Sequence, residues 1–147
     1  MRLRLVSLSA SLVVSLPLAR TEAQVAPAQA IVGRWRGTSI CVKAEWNAAC
    51  NDEVVVYDFV PSAQSTGTIS LHAKKMVNGS PQPMYDLDFS YDSAAGEWKA
   101  DFSNSRVRIR WSYRVDGTTL SGRVVFLPSG RVGREVSATR DTAAASP

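Results

Sequence analysis

Between Arg106 and Val115 every second residue is apolar: Val107, Ile109, Trp111, Tyr113 and Val115 alternate with Arg106, Arg108, Arg110, Ser112 and Arg114. A period of two is that of an extended strand, whose successive side chains leave opposite faces of a sheet. A helix would scatter the five apolar side chains around its circumference. One face of this strand therefore belongs in a core, and the other, almost wholly cationic, belongs in water.

The same code recurs along the chain. Tyr85, Leu87, Phe89 and Tyr91 oppose Asp86, Asp88 and Ser90; Trp98, Ala100 and Phe102 oppose Lys99 and Asp101; Leu120, Gly122, Val124 and Phe126 form a further apolar row. Asn78-Gly79, Ala95-Gly96, Asp116-Gly117 and Ser129-Gly130 supply hinges, and Asn-Gly and Asp-Gly suit tight hairpins because both central residues accept positive φ. The pattern predicts eight strands, at Ile31–Val42, Asp52–Val60, Thr68–Met76, Met84–Tyr91, Glu97–Phe102, Arg106–Val115, Thr119–Phe126 and Val132–Thr139, with no helix among them. Eight short strands joined in succession form an up-and-down meander, and closing it removes the edges an open sheet exposes. The expected fold is all-β: an eight-stranded antiparallel up-and-down barrel over residues 31–140, followed by a disordered tail at 141–147. An outer-membrane barrel needs apolar outward faces. Here those faces carry Asp86, Asp88, Lys99, Arg108 and Arg110.

Residues 1–30 read as a signal peptide. Arg2 and Arg4 precede an apolar and serine-rich stretch from Leu5 to Leu18, followed by small residues. That stretch falls short of the ~20 apolar residues of a membrane-spanning helix, and no second apolar run supplies an anchor. Cleavage has two candidate positions: after Ala30, at Ala28-Gln29-Ala30, or after Ala23, leaving a short Ala/Pro/Gln arm. The chain carries a net charge of +4, but Arg2, Arg4 and Arg20 against Glu22 fall in the leader, leaving 14 basic and 12 acidic residues from Ile31 onward. Such a balance gives no footing for nucleic-acid binding. Cys41 and Cys50 are the only cysteines, and a periplasmic or secreted chain pairs them. A loop of about ten residues closed this way stabilises the fold by roughly 2.5 to 3 kcal/mol.

The first strand contains Gly33-Arg34-Trp35. A G-x-W triplet at the start of an eight-stranded exported barrel resembles the signature of lipocalins and their calycin relatives. In that fold the tryptophan closes one end of the barrel and an arginine near the last strand packs across its indole. The resemblance gives Gly33 and Trp35 structural roles and makes Arg134 the candidate arginine, since it shares strand parity with Val132, Val136 and Ala138; Arg131 and Arg140 are its rivals. The chain departs from the family in being short and in lacking a later T-D-Y-like motif and a C-terminal helix. The stretch from Gly33 to Cys41, with Ala49-Cys50 and Asp52 to Tyr57, is also similar to small exported bacterial proteins of uncharacterised function.

An eight-stranded barrel is near the size at which the interior either fills with side chains or holds one small ligand. If hollow, it presents Trp35, Tyr57, Trp98, Trp111 and Tyr113 to a small apolar or aromatic molecule; if filled, the same residues are core. The paired carboxylates Asp86 and Asp88 can in principle do acid–base work or hold a cation, but they alternate with Tyr85, Leu87 and Phe89 and read as the wet side of a strand. His72, the only histidine, shares its parity with Ser70 and Lys74 and has no nucleophile motif near it. The row Arg106, Arg108, Arg110 and Arg114 reads as a solvated face, partly neutralised from a neighbour such as Lys99-Ala100-Asp101. No catalytic residue, metal site or cofactor is assigned. The first reading is a binding module for a small hydrophobic ligand. The alternative is a protein-binding barrel resembling exported protease inhibitors, with an extracytoplasmic partner engaged by the Gln24–Ala30 arm.

Overall fold

The computed structural model describes residues 26–142. The leader's charged and apolar parts, the Ala23 site and most of the C-terminal tail lie outside the described residues. A short helix α1 (Pro27–Ile31) is followed by strands β1 (Gly33–Cys41), β2 (Glu53–Pro61), β3 (Thr68–Val77), β4 (Ser80–Asp92), β5 (Glu97–Ser103), β6 (Arg108–Asp116), β7 (Thr119–Phe126) and β8 (Arg131–Arg140), with a 3₁₀ turn at Glu45–Asn47. Each strand pairs with the next, and β1 pairs with β8, closing an antiparallel barrel. No helix among the described residues is long and apolar enough to cross a membrane.

The inward rows are those the alternation defines. Val55, Tyr57 and Phe59 of β2, Ile69, Leu71 and Ala73 of β3, Trp98 and Ala100 of β5, and Trp111 and Tyr113 of β6 are buried together. Two irregularities re-aim the rows. A register shift between Ala73 and Lys74 sets Pro83 opposite Lys74 and Tyr85 opposite Ala73, leaving Met84 as the extra residue of β4. A second shift pairs Val124 with Arg134 but Val125 with Val132, so Gly133 is extra and Val132 departs from the inward row of Arg134. Gly133 is glycine for lack of space, since a Cβ there would lie 2.4 Å from the Phe126 ring. The β4–β5 ladder is the shortest seam. It runs only from Ser90↔Lys99 to Asp92↔Glu97, and beyond it the two strands part.

α1 is the element that the strand pattern did not predict. It is five residues long, has Pro27 at its first turn and ends on Ile31, which has no exposed surface. So short a run shows no 3.6-residue periodicity; packing against one end of the barrel holds it.

Candidate functional site

The barrel has three levels along its axis. At the α1 end, Trp35 is fully buried and its indole N–H donates to the Ile31 carbonyl at 2.8 Å. The guanidinium that covers the indole is that of Arg140, 4.3 Å from the ring centroid, and not that of Arg134. Register gives the reason: β1 and β8 run antiparallel with Trp35 opposite Arg140 and Cys41 opposite Arg134, so Arg134 points inward at the far end. Arg140 also donates to the Val32 carbonyl at 2.7 Å and to that of Ala30, tying α1 to the last strand. Gly33 has φ of +125°, and a Cβ there would lie 2.8 Å from an Arg140 nitrogen. Both the backbone and the arginine therefore require glycine at that position.

The middle level is filled. Tyr57, Phe59, Phe89 and Tyr113 form one aromatic cluster with ring centroids 5.3 to 6.3 Å apart. Tyr113 fits because Gly122 faces it; a Cβ on Gly122 would come within 2.3 Å of the Tyr113 ring. Burial pushes the phenols of Tyr57, Tyr85 and Tyr113 up from the ordinary tyrosine value. The three hydroxyls neighbour one another, yet Tyr113 Oη makes no hydrogen bond of acceptable geometry.

The far end is open. A cup of about 440 Å³ has Tyr85, Trp111, Met84 and Val124 in its wall and Glu53, Lys75 and Arg134 around its rim. Trp111 Nε1 donates to Tyr85 Oη at 3.2 Å, and the two rings lie 5.3 Å apart, which fixes the aromatic wall. Arg134 is fully engaged. It donates to Ser39 Oγ at 2.8 Å, to Glu53 Oε2 at 2.9 Å, to the Asn51 carbonyl at 2.9 Å and to Cys50 Sγ at 3.1 Å. Its role is to bind the Cys41–Cys50 disulfide loop to the rim. The outer side of that loop is held by Trp46, edge-on to Phe126 at 5.4 Å under the Arg131 guanidinium, and by Asn47, whose amide donates to the Val42 and Gly133 carbonyls. Lys75 is only loosely paired, 3.9 Å from Glu53.

The five residues assigned to a ligand are thus spread over all three levels. Trp111 lines the cup. Tyr57 and Tyr113 pack in the bore beneath it, Trp35 is sealed at the opposite end, and Trp98 lies beside a surface depression bordered by α1. Glu53, Lys75 and Tyr85, outside the five, also line the cup. Glu53 shares parity with Val55 and Tyr57, and Lys75 with Leu71 and Ala73, so a charge in an apolar row near a strand end was the available signal.

The charged outer faces are paired across strands. Arg110 binds Asp101 through two hydrogen bonds of 2.6 and 2.7 Å, Arg114 reaches Glu97 at 3.3 Å, His72 meets Asp86 at 2.8 Å and Ser70 donates to Asp88 at 2.5 Å. Asp58 is partly withdrawn from water, but Arg34 and Lys74 outweigh that and hold its carboxyl below the ordinary value. Among the described residues no group of three or more His, Cys, Asp or Glu side chains is placed to share a metal.

Closed antiparallel barrel, plugged end and open cup together define a lipocalin- or calycin-like architecture. The chain is similar in fold to the crystal structure of Rv2717c from M. tuberculosis, at 11% identity and a TM-score of 0.51, over 80% of this chain and 99% of that one. The siderocalin Ex-FABP, described as functioning through dual ligand specificities, is matched at 10% identity and a TM-score of 0.47, over 83% of this chain and 78% of that one. No protein-family model and no curated protein sequence matches this chain.

Proposed function

We propose that this chain is an exported, non-enzymatic carrier that holds a small, planar, largely apolar molecule in the open end of its barrel. The cup carries this reading: it opens from the barrel interior, has the volume of a small-ligand site, and has a wall of fixed aromatic rings under a rim of few polar groups. A flat ring system laid against Trp111 and Tyr85 would exclude water from both, and a polar substituent would meet Lys75 or Glu53 at the rim. The filled bore below limits the ligand to a short molecule. Export is supported by the leader pattern and by the Cys41–Cys50 disulfide. The inhibitor-like alternative has less support, because residues 26–30 of its arm are docked on the barrel end and held there by Arg140.

Titration with N-phenyl-1-naphthylamine, a neutral planar dye whose emission rises in apolar surroundings, tests this. One saturable site is expected. Met84→Trp, at a half-exposed wall position, should fill the cup and weaken binding at least tenfold without lowering the melting temperature. A protein that binds no dye saturably, and whose native mass after purification from an exporting host equals its denatured mass, would overturn the proposal.

A further inference from the structure

The structure constrains where the chain can be cut on export. We infer that the signal peptide ends at Ala23, so that residues 24–30 stay on the mature protein and residues 26–30 among them plug one end of the barrel; this rests on the export part of the reading above. The sequence rules allow a cut after Ala30 equally well, because Ala28-Gln29-Ala30 has small residues at the required spacing. The folded environment of the new terminus separates the two positions.

A cut after Ala30 would place a free α-amino group on Ile31. That residue has no exposed surface. An α-ammonium is charged at neutral pH, and burying it without a counter-ion is costly. The Arg140 guanidinium lies close by, since it binds the carbonyls on either side of Ile31, those of Ala30 and Val32. A second positive charge would then be set beside the first in a partly buried site. The same cut would remove the Ala30 carbonyl that accepts from Arg140 and the Ala28 carbonyl that accepts from the Val32 N–H at 3.1 Å. Two partly buried donors would lose their partners. It would also remove Ala28, which packs on the core beside Ile31.

Cleavage upstream of Ala26 costs none of this, since the Ala30 N–H bonds back to the Ala26 carbonyl and the turn is complete from there. Ala23, with Thr21 at the third position before the cut, is a site of suitable small residues in that stretch. The consequence is a plug made from the chain's own first turn, locked by the last strand through Arg140.

Intact-mass measurement and N-terminal sequencing of the protein recovered from the extracytoplasmic fraction decide the matter. A mature chain beginning at Gln24 is expected. A chain beginning at Gln29 or Ile31 would overturn the inference while leaving export intact, and an uncut chain beginning at Met1 would overturn it together with the export reading. As a second readout, a chain begun at Ile31 should melt several degrees below one begun at Gln24; equal melting would likewise overturn the role given to the plug.

Discussion

At the scale of single residues, two arginines on β8 that look alike in sequence have separate duties. Arg140 closes one end by covering Trp35 and gathering the carbonyls of α1, while Arg134 fastens the disulfide loop at the other. Arg140→Ala should therefore destabilise the protein by about 2 to 3 kcal/mol, the sum of a cation–π contact and two unmet carbonyls, as read by denaturant unfolding. Arg134→Ala should cost less in stability, about 1 to 2 kcal/mol given its partial exposure, and should disturb the dye site at the cup, which Arg140→Ala leaves intact. Gly33→Ala combines a backbone conformation that L residues rarely adopt with a clash on Arg140, and a loss of about 2 kcal/mol or more is expected. The tyrosines make an optical prediction. Three of the four have phenols raised by burial, so their protonated form is favoured by folding. Stability from that source is complete below the ordinary tyrosine value of about 10 and is lost as pH rises above it. Absorbance at 295 nm should show the three ionising only as the protein unfolds in alkali, in one step with the loss of near-ultraviolet circular dichroism. Asp58 works in the opposite sense. Its depressed carboxyl stabilises the fold above the ordinary aspartate value, and that contribution disappears as pH falls through the folded-state value.

At the scale of elements, all eight strands were legible because each buries one face and wets the other, and period-two patterning records that directly. Boundaries shifted by at most four residues, not at all at β7 and most at β4, whose first residues, Ser80 to Pro83, carry no apolar alternation and are strand only because β3 pairs with them. α1 was not legible, because four residues of Pro, Ala and Gln before an isoleucine carry no amphipathic signal and also resemble a cleavage region. The choice of arginine over Trp35 was half legible: parity told which side chains point inward, but depth along the barrel depends on the β1–β8 register, which only closure fixes. The cup was hidden for the same reason, since its wall and rim come from seven strands that meet at one end. The Cys41–Cys50 loop is the element most exposed to chemical test. Replacing both cysteines by serine should lower stability by about 2.5 to 3 kcal/mol on the loop-closure argument, and dye binding should weaken with it, because Arg134 and Glu53 would lose the loop they brace. Equal dye affinity in the serine variant would separate the loop from the cup.

At the scale of the whole molecule, outward charges are joined across neighbouring strands, as in Arg110–Asp101 between β6 and β5 and His72–Asp86 between β3 and β4, while the interior differs sharply between its two ends. Hydrogen exchange should show the same asymmetry. Amides at the β4 and β5 edges beyond Ser90 and Lys99, where the ladder stops, should exchange faster than those of β1, β2, β7 and β8. The aromatic stack of Tyr57, Phe59, Phe89 and Tyr113 has a further meaning once the ends are taken together. It is a bulkhead: with Trp35 sealed behind it, the tube is a vessel and not a conduit, so no solute crosses from one rim to the other. Whatever enters the cup leaves by the way it came, and its dwell time is set at that single mouth.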